Sequence, residues 1–342
     1  MAQIKVTSAE VAARAGVSQS AVSRVFTPGA SASPKTAEKV KRAAAELGYR
    51  PNVLARAMVS GKSRIIGVIV AYLENQFYPD VLEKLSNALQ AEGYHVLVFM
   101  ASNTSGNINR VVEEILDYQV DGIIAASVAL SSELSDRCQA ANIPMVLFNR
   151  GQDDTSMSIV TSDNLAGGRK IADFLVAGGH QKIGYIAGWE GASTQRDREA
   201  GFLQGLTEAG LSLHARTVGN FHMDQAREAT LQMFTQDPPD AVFVANDHMA
   251  LAVMDTLRHE LGIKVPEDVS VVGYDDVTMS SWPSYNLTTV RQPANRMVAE
   301  TVTTLLAKIN DIETLPRKVE IEGPLIVRKS ARIPEGWPDE GI

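Results

Sequence analysis

Side chains suited to chemistry fall into two groups, one near the N-terminus and one spread through the rest of the chain. In the first, Gln19, Ser20 and Arg24 share one short helical stretch. A glutamine amide matches the N6/N7 edge of adenine, and an arginine fork matches O6/N7 of guanine. These residues could read base edges. In the second group, polar and aromatic residues follow short β-rich runs: Phe77 and Tyr78, Ser102, Ser127, Asn149, Trp189, Asn246-Asp247 and Asp275-Asp276. Ligands of open α/β sheets sit beyond the carboxyl ends of the strands. Aromatic faces, amides, carboxylates and arginine there can stack a pyranose ring and satisfy its hydroxyls.

Catalytic patterns are missing from the same residues. There is no Gly-x-Ser-x-Gly elbow, and the histidines His95, His180, His214, His222, His248 and His259 show no metal spacing. The acid pairs are sequence neighbours, which points their side chains apart. Gly61-Lys62-Ser63 invites a phosphate-loop reading, but the position that needs the first glycine is Arg56. The run Asp163 to Gly168 lacks dinucleotide-fingerprint spacing, so Gly167 and Gly168 read as sites of close helix packing. The single cysteine, Cys138, excludes an internal disulfide and a cysteine-pair metal site. Neither a cofactor nor a metal is expected, and binding is expected rather than catalysis. The alternative is an α/β enzyme with an appended DNA-binding domain, which turnover of candidate sugars would distinguish from simple binding.

The elements that position the first group start with Thr7-Ser8-Ala9-Glu10, a capping box opening a helix from Ser8 to Ala15 that stops at Gly16. Ser18 caps a second helix, Gln19 to Phe26. Ser33-Pro34 starts a third, which runs to Leu47 and ends at Gly48. Ala12, Val17, Val22 and Val25 pack the first two helices across a tight turn, and Val40, Ala44 and Leu47 close the core. This is helix-turn-helix arithmetic. Charge agrees with it. The whole chain of 342 residues carries −8, yet residues 1–64 hold eleven Lys/Arg against three acids, which leaves 21 basic and 37 acidic residues beyond. A head of +8 on a body of −16 concentrates phosphate attraction at one end.

Beyond Ser63, strands are expected at Ile65–Val70, His95–Phe99, Gly122–Ala126, Met145–Phe148, Ile159–Thr161, Ile183–Ala187, Ala241–Ala245 and Ser270–Tyr274, with shorter ones near Thr289 and Val319. Amphipathic helices alternate with them, among them Pro79–Glu92, Asn164–Ala177 and Ala250–Leu261. Buried runs separated by helices imply parallel sheets wound on both faces, and the strands are too many for one sheet. The fold class is therefore multidomain: an all-α headpiece with a hinge helix, then an α/β body of two doubly wound parallel-sheet lobes. No apolar run approaches bilayer length, and the first residues lack a signal-peptide core, so the expected location is the cytoplasm, or the nucleoid when on DNA. The missing export signal also argues against a solute-binding protein serving a transporter.

The motifs Val11-Ala12…Ala15-Gly16-Val17-Ser18, Val22-Ser23-Arg24-Val25, Gly48-Tyr49 with Pro51-Asn52, and Ala55-Arg56 together resemble the headpiece and hinge of the LacI/GalR family of repressors. The similarity extends over essentially the whole chain. It implies a periplasmic-binding-protein-like body whose chain crosses between lobes three times, near Ser162, Arg291 and Gly323. The expected domains are a headpiece over 1–48, a hinge over 49–62, an N-terminal lobe over 63–162 and 292–322, and a C-terminal lobe over 163–291 and 323–342. DNA contacts are expected from Thr7, Ser18, Gln19, Ser20, Ser23 and Arg24 in the head and from Asn52, Ala55, Arg56 and Met58 in the hinge. Met58 stands where the family places a leucine wedge. Val272-Gly273-Tyr274-Asp275-Asp276 matches the motif whose first aspartate anchors the effector. Thr194 and Arg198, followed by Glu199-Ala200-Gly201-Phe202, match an effector-holding pair. Phe77, Tyr78, Asn149, Phe221, Asn246, Asp275 and Gln292 complete the implied effector set. Arg196 either points away or adds charge favouring a sugar acid. The resemblance implies a homodimer that reads a pseudo-palindromic double-stranded operator and is controlled by a small-molecule effector, a carbohydrate or sugar acid.

Overall fold

The computed structural model describes residues 6–27, 30–50, 62–101, 105–126, 137–138, 140–151, 157–310 and 315–337. The chain divides into two compact units, Met1–Ser63 and Arg64–Ile342.

The first unit is three helices, α1 (Ser8–Ala15), α2 (Gln19–Phe26) and α3 (Pro34–Leu47). Each begins on its expected cap. The Glu10 backbone N–H donates to Thr7 Oγ1, and the Thr7 N–H donates back to Glu10 Oε2 at 2.7 Å. The Ala21 and Thr36 N–H groups donate to the Ser18 and Ser33 hydroxyls. Gly16 ends α1 at φ +67°, a left-handed conformation that glycine adopts without a Cβ clash. Val11, Val22 and Val40 are fully buried at the centre, with Ala12, Ala43 and Ala44 beside them. Three small apolar faces make a modest core, which suits a domain of this size.

The second unit holds two six-stranded sheets. The first has the order β11-β5-β4-β3-β1-β2 and is parallel throughout; its strands are β1 (Ile65–Val70), β2 (His95–Met100), β3 (Gly122–Ala126), β4 (Met145–Phe148), β5 (Ser158–Ser162) and β11 (Lys318–Ile321). The second has the order β12-β10-β9-β8-β6-β7; its strands are β6 (Ile183–Ala187), β7 (Ala215–Val218), β8 (Ala241–Val244), β9 (Ser270–Asp275), β10 (Thr288–Arg291) and β12 (Leu325–Ile326). Only the β10–β12 pair in it is antiparallel.

Strand β1 shows why the lobes are layered. Its side chains alternate between two cores: Ile66, Val68 and Val70 meet Leu85 and Leu89 of α4 (Phe77–Ala91) and Leu305 of α10 (Ala294–Ile309), while Ile65 and Ile69 meet Ile115 of α5 (Ser105–Asp117). A strand buried on both faces must be apolar at every position, and Ile65–Val70 is.

In the second lobe, α6 (Asn164–Ala177) lies against α7 (Ser193–Glu208) with almost no gap. A Cβ on Gly168 would stand 2.1 Å from the Arg198 carbonyl oxygen, and one on Gly201 would stand 2.0 Å from that of Leu165. Of the two glycines in the Asp163–Gly168 run, Gly168 thus serves helix packing, whereas a Cβ on Gly167 would stand 2.4 Å from the Tyr274 hydroxyl of β9. The chain passes between the sheets after Ser162, after Arg291 and after Ile321, as the strand memberships require.

Candidate functional site

On the head, Val22 faces the core while Gln19, Ser20, Ser23 and Arg24 are exposed along the other side of α2. Gln19 Nε2 donates to the Ser8 hydroxyl at 2.8 Å, and the Ser18 and Ser20 hydroxyls lie 3.0 Å apart. Thr7 and Ser18 are committed to caps, though both remain exposed. The remaining candidates Asn52, Ala55, Arg56 and Met58, like Ser102 and Ser127, lie outside the described residues.

In the body, the strand order of the second sheet reverses between β6 and β8, which makes the crevice past those two strand ends the favoured ligand position. Asn246 follows β8. It caps α9 (Asp247–Asp255) by accepting from the Met249 N–H through Oδ1 at 3.0 Å. Thr194 and Arg198 sit one turn apart on α7, both buried.

Arg198 is held on four sides. Its Nε donates to Asn164 Oδ1 at 2.9 Å, Nη1 to the Ala245 carbonyl at 2.6 Å, and Nη2 to Asp275 Oδ1 at 3.5 Å; its guanidinium carbon stands 3.7 Å from the centre of the Tyr274 ring. Three of its five N–H donors are therefore engaged within the protein. Arg198 and Asp275 are thus joined as one unit rather than standing as a loose arginine fork.

Asp275 ends β9 at φ +128°, and Asp276 follows at φ +58°. Positive φ at two successive aspartates stores strain, a common mark of functional positions. Asp275 Oδ1 also accepts from Gln292 Nε2 at 2.7 Å, while Oδ2 accepts from Asn75 Nδ2 of the other lobe at 3.2 Å. Gln292 Oε1 in turn accepts from the Ser162 hydroxyl at 3.1 Å. One glutamine thus joins two of the lobe crossings to the aspartate. Burial pushes the Asp275 carboxyl above its ordinary range, against the opposing pull of Arg198 and its amide donors. Phe77, Asp275 and Gln292 line a cavity of about 390 Å³ between the lobes, together with Arg291 and Arg296.

On the N-terminal lobe, Asn149 Nδ2 donates to the Tyr78 hydroxyl at 3.0 Å, and Asn149 Oδ1 is buried with no hydrogen-bond partner among the described residues. Tyr78 also meets Tyr72 and Phe77 edge-on. Phe221 is buried at φ +65° beside Gly188.

The structure adds Tyr72, Asn75, Arg150 and Asn164 to the expected residues, and sets Trp189, expected at a strand end, beside Arg150. Arg150 is the most informative. Asn149 takes φ +67° while the Arg150 N–H donates back to the Phe148 carbonyl at 2.8 Å, a tight γ-turn. The turn aims a buried guanidinium between Trp189, 5.8 Å away, and Phe221, 5.4 Å away. Its signal in the sequence was adjacency to Asn149 alone. Asn75 left no signal. Arg196 is exposed on α7, away from the buried face that carries Thr194 and Arg198.

Among the described residues no group of three His, Cys, Asp or Glu gathers as a metal site, and no helix is long and apolar enough to cross a membrane.

A helix-turn-helix head followed by a two-lobed body with polar strand ends facing an interlobe crevice defines a ligand-responsive DNA-binding regulator. Comparison with known proteins agrees in both parts. Residues 7–52 match the family described as "Bacterial regulatory proteins, lacI family", and residues 172–331 match "Periplasmic binding protein-like domain". The chain is 31% identical to the "HTH-type transcriptional repressor PurR" of Pasteurella multocida (strain Pm70), over 97% of this chain and 99% of that protein. It is 34% identical to the "HTH-type transcriptional regulator CelR" of Thermobifida fusca, over 94% and 96%. Among solved structures, the lac repressor dimer bound to operator and the anti-inducer ONPF superposes with a TM-score of 0.86 at 31% identity, covering 95% of this chain and 99% of that one. A CelR–cellobiose complex gives 0.73 at 31% identity, covering 96% and 100%. The chain belongs to the lacI family of bacterial transcriptional regulators.

Proposed function

We propose that this chain is a repressor whose affinity for its operator is set by a small molecule bound in the interlobe cleft, a sugar, a sugar acid or a related metabolite. The observation that carries this reading is the buried junction of Arg198, Asp275 and Gln292 at the strand ends where the chain crosses between lobes. A carboxylate beside a guanidinium offers an acceptor and donors to vicinal hydroxyls. The buried, unpartnered Asn149 Oδ1 supports it further, because a ligand hydroxyl there would supply the missing hydrogen bond. Trp189 and Phe221 supply ring faces for stacking.

Arg196, exposed, gives no support to a sugar acid, whereas buried Arg150 places a cation beside the cleft and admits one. Exposed Gln19, Ser20, Ser23 and Arg24 would face the major groove. The unit that binds is a homodimer; exposed Val98 and Met100 on the edge strand β2 suit contact with a second copy. The similar CelR structure is a complex with cellobiose, a carbohydrate, in line with this cleft. By linkage, effector and operator change each other's affinity by the same factor.

Asp275→Ala tests the assignment. A thermal-shift screen of wild type against sugars and sugar acids finds a stabilising compound, and the variant loses that shift while still retarding operator DNA. A variant that keeps the shift removes the cleft assignment.

A further inference from the structure

We propose that the hydrogen bond from Asn75 to Asp275 is a latch between the two lobes, and that Asn75 is the positioning residue for Asp275. The inference rests on the reading of Asp275 as effector anchor. Asn75 belongs to the segment joining β1 to α4 in the first lobe; Asp275 ends β9 in the second. The two residues are 97% and 96% buried, and their side chains meet at 3.2 Å.

The two oxygens of Asp275 are divided between the lobes. Oδ1 takes Gln292 and Arg198, which belong to a lobe crossing and to the second lobe. Oδ2 takes Asn75, which reaches it from the first. The amide of Asn75 is itself fixed, because its Oδ1 accepts from the Phe77 N–H at 3.1 Å and its backbone carbonyl accepts from the Tyr78 N–H at 3.1 Å. Those two bonds start α4 and fix the plane of the amide, so that one of the two Nδ2 hydrogens meets Asp275. A rigid donor on one lobe therefore meets a strained, buried acceptor on the other. The contact costs little further ordering, since both partners are already held.

The latch gives the ligand-free chain a preferred lobe separation. If only latched molecules present Asp275 correctly, apparent effector affinity falls in proportion to the fraction of molecules that are unlatched.

Asn75→Asp is the decisive variant. It keeps the oxygen that accepts from Phe77 and turns the donor facing Asp275 into a second carboxylate. Spin labels on Gln90→Cys and Gln236→Cys, both exposed positions on different lobes, report the separation in full-length protein diluted with unlabelled chain. Cys138 is buried. The expected result is a longer mean distance in Asn75→Asp without any ligand. The double variant Asn75→Asp with Asp275→Asn reverses donor and acceptor and restores the wild-type distance. An unchanged distance in the single variant overturns the latch, and so does a lengthened distance that the double variant fails to restore. The anchor reading is checked separately: Asp275→Asn alone loses the thermal shift given by whichever of glucose, cellobiose or gluconate stabilises wild type. Retention of that shift would sink the anchor and leave the distance result standing on its own.

Discussion

Gly201 of α7 packs on the backbone of Leu165 in α6 so closely that even a methyl group would stand 2.0 Å from the Leu165 carbonyl oxygen. That approach carries Arg198, three residues earlier on α7, to within 2.9 Å of Asn164 at the start of α6. Helix packing and the cleft's geometry are thus one problem. Gly201→Ala must push the helices apart, at a cost of about 1–3 kcal/mol or more for overpacking. Calorimetry should show the body melting several degrees lower and the effector shift weakened. A variant that melts with wild type would mean that the helices have slack.

Asp247 offers a pH test. Its carboxylate accepts from the Val277 N–H at 3.1 Å and from the Ser280 and Thr289 hydroxyls at 2.6 Å each. Burial, reinforced by the Asp275 carboxylate, pushes it up to about 7 from 3.8. Between those values the folded chain holds a proton that the unfolded chain has released. Stability therefore falls as pH rises through that window, by at most about 1.4 kcal/mol per pH unit from this group. Asp247→Asn should flatten the slope in urea titrations at pH 5, 6 and 7. An identical slope in the two proteins would place the titration elsewhere.

For the head, Arg24→Ala should lose about 1–3 kcal/mol of discrimination at one base pair of each half-site. Binding measured against a panel of single-base operator variants checks this. If every operator weakens equally, Arg24 contacts phosphate and not a base.

Salt should act on the head alone. The +8 net charge of residues 1–64 predicts a steep fall of operator affinity with salt. Effector affinity, resting on buried groups, should change far less. Parallel titrations at low and high salt would contradict this if both affinities moved together.

Arg150→Lys keeps the charge and loses the planar face set against Trp189 and Phe221. Effector affinity should drop about tenfold, the equivalent of one or two kcal/mol of cation–π contact. Calorimetric titration with the stabilising compound checks it; unchanged affinity would mean that Arg150 supports the cleft only as a charge.

The head was legible almost to the residue because its signals are local. Thr7, Ser18 and Ser33 are caps, Gly16 and Gly48 are stops, and each acts within four positions of itself. Central strands were legible for a similar reason, since a strand buried on both faces is apolar without interruption. The edge strands of the second sheet were not. β7, Ala215–Val218, reads Ala-Arg-Thr-Val, half exposed with Arg216 paired to Glu190 and Glu199, and β12 is two residues long. Helix α4 begins at Phe77, two residues before the expected Pro79, because Asn75 supplies a starting acceptor that sequence spacing did not reveal. In the cleft, residues at strand tips could be named from the strands. Arg150 and Asn75 could not, since their positions depend on a left-handed Asn149 and on a partner 200 residues away.

The interleaving of the sheets also governs how the molecule can be made. The first sheet ends in β11, Lys318–Ile321, which pairs with β5 some 160 residues earlier in the sequence. A nascent chain leaving the ribosome therefore exposes the backbone edge of Ser158–Ser162 until Lys318–Ile321 have been synthesised. Strands β6 to β10 of the second sheet are made while the first is still open on that side, and β12 follows β11. Any premature stop before Lys318 would leave both lobes incomplete at once.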